Sequence, residues 1–344
     1  KYISFRMKKK TTIYDIANKL NITAATVSRA LNDNKLISAK TKELVLATAK
    51  ELNYEKNASA FALKSGKTKL IGLVVPYINR HFFSNIIMGV EEELNPMGYH
   101  VMIFQSNESY KKEKDIIDRM LISQVDGIMI SIAKSTPDSK HLEKIINQKI
   151  PLVFFDRKIQ LKNTSSVVLD DVEGGRLATN HLIQQGCSKI ACVISNPSLD
   201  IYRNRLNGFI KAHKENGMNH NRDLIFEADS SLESGHEVAN KIIAVINEVD
   251  AVFCSSDYTA LGISQRLQEE GINIPKKIKI VGFSNEPFTS LLELPLSTVE
   301  QSPYEMGKTS ARILLDQLKN EVISIEHSVK LQPKLVERLS SKIT

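Results

Sequence analysis

The sequence predicts a small all-α head at the amino end, followed by an α/β body of two lobes with parallel sheets. Helical spacing of apolar residues over 12–52 indicates the head, and short apolar runs that alternate with amphipathic stretches after residue 69 indicate the body. Charge separates the same two parts, because residues 1–68 hold 14 Lys and Arg against 5 Asp and Glu, whereas residues 69–344 hold 32 and 34. A basic module of this size favours a polyanionic partner, although a solvated Lys-rich tail would have the same composition.

The head begins with two short helices joined by a tight turn. Thr12 and Asp15 resemble a capping box ahead of an amphipathic stretch, and Thr23 is placed to cap a second helix. Two helices in this arrangement form a helix-turn-helix. A third helix from Ser38 to about Leu52 completes a three-helix core. The side chains expected to face that core are Ile13, Ile16, Ala17, Leu20, Val27, Ala30, Leu31, Leu44, Val45, Thr48 and Leu52.

The second helix is suited to reading DNA in the major groove. Arg29 is the best candidate for a base contact, because a guanidinium can pair with both acceptors of guanine, a contact worth roughly 1–3 kcal/mol of discrimination. Ala24 and Ala25 offer methyl contacts to thymine. Polar side chains around this helix suit phosphate oxygens, although each hydroxyl taken singly is more readily explained as a helix cap or a solvent-facing group. The other candidates for DNA binding in the head are Thr12, Tyr14, Thr23, Thr26, Ser28, Asn32, Ser38 and Thr41.

Three segments resemble the DNA-binding head of the lactose-repressor family of bacterial transcriptional regulators. They are Thr-Ile-Tyr-Asp-Ile-Ala at 12–17, Thr-Val-Ser-Arg-Ala-Leu-Asn at 26–32 and Leu-Asn-Tyr at 52–54, and the resemblance extends over essentially the full length. It implies a helix-turn-helix DNA-binding domain at 7–56, a hinge helix and linker at 57–68, and an effector-binding and dimerisation domain at 69–344. In the hinge, which orders on operator DNA in this family, it implies a DNA contact by Ala60 and a minor-groove wedge at Leu63. Ordinary linker packing is the alternative for Leu63.

The body repeats strand and helix patterns in the way that produces parallel sheets covered on both faces. Strands are expected at 70–75, 101–105, 127–132, 152–155, 166–169, 190–194, 251–254 and 278–283, and helices at 84–94, 173–185, 205–215 and 260–270. So many strands indicate two lobes. The family resemblance implies the periplasmic-binding-protein-like arrangement, in which the chain crosses three times between the lobes. It places the N-lobe at 69 to about 168 and about 298 to 325, and the C-lobe at about 169 to 297 and 326 to 344.

Polar residues follow several of these strands, at the edge of a parallel sheet where ligands bind. Asp156 follows Leu-Val-Phe-Phe, Asp257 follows Val-Phe-Cys-Ser-Ser, and Ser284 and Asn285 follow Ile-Val-Gly-Phe. Asp257 is equally explained as a helix N-cap, and Asp156 has the alternative of an ordinary loop carboxylate.

The family resemblance implies an effector site in the cleft between the lobes. A carboxylate and a guanidinium there can bind vicinal hydroxyls while an aromatic face covers a sugar ring, so a carbohydrate-like effector is expected. Phe83 matches an apolar wall, with ordinary core packing as its alternative. Ser256 stands where many sugar-responsive members have Asn, and Ser284-Asn285 stand where Asp is usual, so the effector's identity stays open. The expected effector-binding residues are Phe83, Asp156, Arg205, Ser256, Asp257, Ser284 and Asn285.

Together these features predict a dimeric, sequence-specific transcription regulator, a repressor, whose affinity for near-palindromic operator DNA is set by a small molecule. A solute-binding protein with the same body and an α/β enzyme that uses the cleft are the alternatives. No secretion signal is recognisable, and the GxSxG, HExxH and GxGxxG motifs are missing, so neither alternative is favoured and no catalytic residue is assigned.

The composition also indicates where in the cell the protein is expected and whether it is expected to hold a cofactor. No run of about 18 apolar residues is present, so a membrane span is not expected and the protein is expected to be cytoplasmic. Cys187, Cys192 and Cys254 form neither a CxxC pair nor a cluster with His at ligand spacing, and are expected as buried thiols. No metal and no cofactor is therefore expected.

Overall fold

The computed structural model describes residues 11–54, 66–320 and 326–342. Contacts within the chain divide it into an amino-terminal unit, residues 1–68, and a second unit, residues 69–344. Over the described ranges, no helix is long and apolar enough to cross a lipid bilayer.

The amino-terminal unit contains the helices α1 Ile13–Leu20, α2 Ala24–Leu31 and α3 Ala39–Glu51, which confirms the expected helix-turn-helix and third helix. A hydrogen bond between a side chain and the backbone marks the start of each helix. The Thr12 backbone N–H donates to Asp15 Oδ2 (2.7 Å), Thr23 Oγ1 accepts from the Thr26 backbone N–H (3.1 Å), and Ser38 Oγ accepts from that of Thr41 (3.2 Å). These bonds satisfy N–H groups that have no partner inside the helix, so the sequence itself defines where each helix begins.

A small apolar core joins the three helices. Its buried side chains are Ile16, Ala17, Val27, Ala30, Val45 and Ala49. The expected burial of Leu44 is wrong, because this side chain is 50% exposed. Val45 and Ala49, one turn apart, take the inward face of α3, and the residue before Val45 points about 100° away from it.

The second unit alternates strands and helices along the chain. Its strands are β1 Leu70–Val75, β2 His100–Gln105, β3 Gly127–Ile130, β4 Leu152–Phe155, β5 Ser165–Leu169, β6 Ile190–Ile194, β7 Ile225–Glu227, β8 Ala251–Cys254, β9 Lys279–Ser284, β10 Ser297–Glu300, β11 Ser328–Leu331 and β12 Lys334–Val336. Its helices are α4 His81–Leu94, α5 Tyr110–Ile122, α6 Lys140–Asn147, α7 Asp171–Gln184, α8 Asp200–Glu215, α9 Leu232–Ala244, α10 Asp257–Glu269, α11 Phe288–Leu291 and α12 Pro303–Asn320. Short 3₁₀ turns occupy Asn95–Met97, Arg222–Leu224 and Ile246–Glu248.

All strands expected from the apolar pattern are confirmed, with ends that shift by at most two residues. The pattern does not predict β7, β10, β11 or β12. Of these, β7, β11 and β12 are short and only partly buried, and β10 is buried but carries hydroxyl and carboxyl side chains. Apolar periodicity is therefore a weak signal for all four.

The described strands form two six-stranded sheets. The first has the order β11-β5-β4-β3-β1-β2 and is parallel throughout. The second has the order β12-β10-β9-β8-β6-β7 and is parallel except for β12, which runs antiparallel to β10. Each sheet with its covering helices forms one lobe, here named the first lobe and the second lobe. The strands β3, β4, β6 and β8 are buried along their whole length, as in sheets covered on both faces.

The described chain passes between the lobes three times: from β5 to α7, from β10 to α12 and from β11 to β12. The expected lobe limits need correction at the last two crossings. Because β10 pairs with β9, it belongs to the second lobe, and because β11 pairs with β5, it belongs to the first. The first lobe therefore takes α12 and β11 instead of 298–325. A strand's sheet is set by its hydrogen-bonding partners, which an apolar pattern does not reveal.

The three cysteines are buried and unpaired, as expected from the sequence. Burial raises the pKa of the Cys187 thiol to about 11 and that of the Cys254 thiol well above its usual range. Protonated, buried thiols have little nucleophilic reactivity, so these residues contribute to packing and not to chemistry.

Candidate functional site

Helix α2 of the amino-terminal unit presents a polar face to solvent. Ala25 and Arg29 are exposed, while Ala24 and Ser28 are half-buried. The guanidinium of Arg29 has no hydrogen-bond acceptor among the described residues. A cation without such a partner on an exposed helix is available for a phosphate or the edge of a base.

The hydroxyl groups at the starts of α2 and α3 act as helix caps, which is the alternative to phosphate binding that the sequence offers. Thr23 and Thr26 share a hydrogen bond between their hydroxyls (2.9 Å), and Ser38 and Thr41 share another (2.9 Å). Each pair uses one of its two hydroxyl protons internally, so one proton remains to point outward. A phosphate contact is therefore compatible with the capping role.

The other candidates of the head make local contacts or none. The Thr12 hydroxyl donates to Asp15 Oδ2 (2.8 Å), and Asn32 Nδ2 donates to the Ser28 carbonyl (2.9 Å). Tyr14 on α1 is 66% exposed. Ala60 and Leu63, expected in the hinge, lie outside the described residues.

A cavity of about 70 Å³ lies between the first and second lobes of the body. It sits beyond the carboxyl ends of β3, β4, β5 and β6, where parallel sheets bind ligands. Its walls are Ile132, Asp156, Arg157, Lys158, Val168 and Leu169 from the first lobe, and Asp171, Leu199, Asp200, Ile201 and Asn204 from the second. Apolar side chains and carboxylates thus face the same space.

Arg205 does not line this cavity but contacts Asp171, which does, and its guanidinium is held by several partners. Its Nε donates to Asp171 Oδ1 (2.8 Å), Nη1 donates to the Ser255 carbonyl (2.9 Å) and Nη2 donates to Gln301 Oε1 (3.1 Å). The guanidinium carbon is 3.7 Å from the centroid of the Phe283 ring. These contacts fix the guanidinium and tie α8 to β8, β9 and the crossover after β10.

Two glycines allow the approach of the helices that carry this ion pair. A Cβ atom at Gly175 of α7 would lie 2.1 Å from the Arg205 carbonyl oxygen, and one at Gly208 of α8 would lie 2.1 Å from the Val172 carbonyl oxygen. Both distances are shorter than any real contact, so only glycine permits this helix crossing. The crossing sets Asp171 and Arg205 side by side.

Burial dominates the electrostatics of the carboxylates at the cavity. Asp171 is 3% exposed, and burial raises its pKa to about 6 although Arg205 acts in the opposite direction. Asp156 is 7% exposed, and burial likewise raises its pKa against the influence of Arg157 and Arg205. The charge state of each carboxyl group therefore depends on its charged neighbours and on any ligand that donates hydrogen bonds to it.

Asp156 is held by the backbone as well as by its partners. It accepts a hydrogen bond from the Ser131 hydroxyl (3.0 Å), and its Oδ2 lies 3.6 Å from Arg157 Nε. Its φ of 60° is in the left-handed region, which non-glycine residues rarely adopt. Backbone strain of this kind persists where the surroundings over-determine it, commonly at ligand sites.

Tyr202 and Lys134 extend this polar region across the cleft. The Nζ atom of Lys134, in the first lobe, lies 5.9 Å from the centroid of the Tyr202 ring in α8. Burial opposes ionisation of Tyr202, yet Arg157, Lys134 and Arg205 together lower its pKa. The environment of the Tyr202 hydroxyl is therefore cationic.

The structure corrects the expected role of Asp257. This residue is completely buried, and its oxygens accept hydrogen bonds from Thr298 Oγ1 (2.6 Å) and the Glu286 backbone N–H (2.8 Å). Burial raises its pKa to about 6. A carboxylate saturated in this way fastens the start of α10 to the end of β9 and is not free for an effector.

Asn285 is also committed to the protein. Its Nδ2 donates to Glu300 Oε2 (2.7 Å), and its Oδ1 accepts from Arg338 Nη2 (2.8 Å). Ser284 Oγ accepts a hydrogen bond from Gln301 Nε2 (2.8 Å). Because Gln301 Oε1 accepts from Arg205, Gln301 links Ser284 to Arg205.

Phe83 and Ser256, the two remaining residues expected to bind the effector, lie in different surroundings. Phe83 is buried in the core of the first lobe, where its ring centroid lies 5.1 Å from that of Phe82, so core packing is its observed role. Ser256 is 9% exposed at the N-cap position of α10 and makes no capping bond through its side chain. It does not line the cavity.

Asp171, Arg157 and Gln301 belong to the site although they are not among the residues expected from the sequence. Asp171 follows β5, so the signal that identified Asp156, a polar residue after a parallel strand, could have identified it too. Arg157 pairs with Glu108, whose carboxylate oxygens both lie 2.9 Å from Nη1. That partner lies in another loop, and no local pattern indicates such a pair.

Comparison with known proteins gives a consistent result along the chain. Residues 12–57 match the model for bacterial regulatory proteins of the lacI family, and residues 179–341 match that for the periplasmic binding protein-like domain. The HTH-type transcriptional repressor PurR of Pasteurella multocida is 33% identical over 332 residues, which cover 96% of this chain and 98% of the relative. The lac repressor dimer bound to operator and the anti-inducer ONPF aligns with a TM-score of 0.86 at 26% identity, covering 97% of this chain and 99% of that chain. The complex of the transcriptional regulator CelR with cellobiose aligns with a TM-score of 0.73 at 26% identity, covering 96% and 100%.

Proposed function

The chain belongs to the lacI family of bacterial regulatory proteins, and from this membership we propose which of its residues bind DNA and which bind the effector. It is a DNA-binding transcriptional repressor that responds to a small molecule and works on operator DNA as a homodimer. A protein with this role acts beside the chromosome, so we place it in the cytoplasm. The matched helix-turn-helix argues against a solute-binding protein, and the proposal assigns no catalytic residue.

Helix α2 is the proposed DNA-reading element, and Arg29 is its base-reading residue. The exposure of Arg29 and the lack of an acceptor for its guanidinium within the described residues support this role. Residues around α2 position the head on the phosphates, and the hinge adds contacts in the minor groove. The proposed set is Thr12, Tyr14, Thr23, Ala24, Ala25, Thr26, Ser28, Arg29, Asn32, Ser38, Thr41, Ala60 and Leu63.

The cavity between the lobes is the observation that carries the effector assignment. Asp156 and Asp171 face it from opposite lobes, and Arg205 holds Asp171 in place. Carboxylates accept hydrogen bonds from hydroxyl groups, and the apolar walls suit the C–H faces of a ring. We therefore propose a carbohydrate-like effector, a class that the similarity to the CelR–cellobiose complex also supports.

The volume of the cavity implies movement of the lobes. At about 70 Å³ it is far below the roughly 300–1,000 Å³ of ordinary ligand sites, so an effector enters only if the lobes separate. A ligand that binds two lobe arrangements unequally shifts the balance between them, and that shift is the proposed coupling to DNA affinity.

A thermal-shift screen of the full chain against sugars, sugar phosphates and nucleobases tests the ligand class. Binding to the folded state stabilises it, so a true effector raises the melting temperature in a concentration-dependent way. Stabilisation by nucleobases and by no sugar would overturn the carbohydrate class while leaving the regulator intact.

The effector that the screen identifies then tests the site. Asp156→Asn should weaken binding at least about tenfold in calorimetry, because it replaces a charged acceptor by a neutral amide. Asp118→Asn is the matched control, since Asp118 is a partly exposed carboxylate of α5 that pairs with Lys144. Equal affinity of the Asp156 variant and the wild type for the effector would show that the effector does not bind at Asp156.

A further inference from the structure

Arg80 spans the cleft between the lobes. It directly precedes α4 of the first lobe, and its guanidinium carbon lies 4.0 Å from the centroid of the Tyr258 ring in α10 of the second lobe. The contact is made by side chains alone and is separate from the chain crossings. It can therefore form and break as the lobes move.

Tyr258 is part of a small group on the second lobe that has the composition of a cation site. Its ring packs edge-on against Phe288, with centroids 5.1 Å apart. The backbone N–H of Glu286 donates to Asp257 Oδ2 (2.8 Å), which brings Glu286 beside the start of α10. Aromatic rings bind organic cations through their faces, and an acidic residue in the same group adds a charge of opposite sign.

Glu286 adds an unused acceptor to this group. The residue is only 5% exposed, and no hydrogen-bond donor of the described ranges reaches its carboxylate. Burial and the charge of Asp257 raise the pKa of Glu286 to about 7, whereas Arg80 acts in the opposite direction. Arg80 is therefore close enough to favour the charged carboxylate although the two form no ion pair.

We propose that Tyr258, Phe288 and Glu286 form a binding site for an alkylguanidinium or alkylammonium cation, and that Arg80 is its built-in ligand, which latches the two lobes together. Asp257 cannot serve as the carboxylate of this site, because both of its oxygens are already occupied inside the second lobe. None of the residues of the latch lines the cavity between the lobes. The latch thus acts whatever the effector is, and it sets how readily the cleft opens to admit one.

The opening of the lobes can be measured without DNA or effector through the labelling of a buried thiol. Ile201→Cys places a thiol in the cavity wall, and the native cysteines are buried. If opening is fast and rare, the labelling rate of this thiol is proportional to the opening equilibrium. A second background, Glu237→Cys on the exposed face of α9, reports changes in intrinsic reactivity.

In the Ile201→Cys background, Arg80→Met should accelerate labelling about three- to tenfold, the effect of losing a partly exposed cation–π contact. Tyr258→Leu should accelerate it to the same extent, and the double variant no further, because both substitutions remove one interaction. Arg80→Lys should stay close to wild type, since it keeps a cation. Arg266→Met is the control for loss of a charge, because Arg266 lies on the same helix as Tyr258 and its partners, Glu269, Glu270 and Asn240, all belong to the second lobe.

Methylguanidinium chloride tests the site as a receptor for a free cation. At constant ionic strength it should accelerate labelling of the Ile201→Cys chain by competing with Arg80, and it should have no effect on the Tyr258→Leu variant. The proposal is overturned if Arg80→Met labels at the wild-type rate, if the two substitutions multiply in the double variant, or if methylguanidinium acts no differently from sodium chloride. Because no arm involves DNA or a sugar, failure here leaves the regulatory function untouched.

Discussion

Replacing Arg205 by Met should destabilise the folded body far more than removal of a surface charge. Arg205 is 4% exposed and supplies hydrogen bonds to Asp171, Ser255 and Gln301, so its loss leaves Asp171 buried without a counter-charge. Breaking a buried ion pair by removing one partner costs about 3–5 kcal/mol. For a unit of this size we expect the melting temperature to fall by roughly 10 °C.

The stability lost in Arg205→Met should depend on pH, and the direction of that dependence identifies the buried charge of Asp171 as the cause. Burial raises the pKa of Asp171 to about 6 even with Arg205 present, and removing Arg205 raises it further. At pH 5 the carboxyl is mostly neutral and needs no counter-charge. At pH 8 the folded variant must either bury the charged carboxylate unpaired or protonate it against the pH, and both cost free energy. The destabilisation by Arg205→Met should therefore be larger at pH 8 than at pH 5.

Differential scanning fluorimetry of the full chain at both pH values measures this effect. The control is Arg266→Met, a half-buried residue whose ion pairs with the exposed Glu269 and Glu270 contribute about 0–1 kcal/mol. The double variant Arg205→Met with Asp171→Leu should recover much of the loss, because no uncompensated charge remains. A loss equal to that of the control, or one that does not change with pH, would refute the reasoning.

Three further predictions concern DNA binding and proton linkage. Arg29→Ala should reduce discrimination at one base pair of each half-site by about 1–3 kcal/mol, measured by competition between operator and single-base variants; unchanged discrimination would exclude it as a base-reading residue. Leu63→Ala should weaken binding to operator more than to a scrambled duplex in gel-shift assays, and an equal loss on both would argue against a wedge. Glu286 has a pKa of about 7 in the folded chain against 4.5 as its ordinary value, so its protonated form favours folding and stability falls as pH rises between these values. Asp171 and Asp257, whose pKa values are raised to about 6, add a fall of their own below that pH, so Glu286→Gln should remove only the share of Glu286, at most about 1.4 kcal/mol per pH unit. A melting temperature with the wild-type pH dependence between about pH 6 and pH 7 would contradict the assignment.

The helices of the head show how much local sequence determines. The sequence alone identifies Thr12 with Asp15 as a capping box and Thr23 as a cap, and the first two helices begin directly after Thr12 and Thr23. The apolar runs of the body identify the buried strands in the same way. Both signals are local, since a cap bonds within four residues and an alternating pattern needs only one segment.

The composition of the cleft was decided by tertiary structure. Asp171 and Arg205 are 34 positions apart and meet because two glycines let their helices cross closely. Asp257 and Asn285 stand at strand ends, as ligand-binding residues do, yet their side chains are occupied by Thr298, Glu300 and Arg338. A sequence shows which polar groups reach the end of a sheet but not which of them find partners there.

The assignment of strands to lobes and the contact between Arg80 and Tyr258 have the same origin. The strands β10 and β11 are neighbours along the chain, with only α12 between them in the described residues, yet they pair in different sheets. Hydrogen bonds between strands and contacts between side chains act through space at a range of a few ångströms. Local sequence thus indicated the capped helices and the buried apolar strands, whereas only the fold decided which elements became neighbours and which charges were left to bind a ligand.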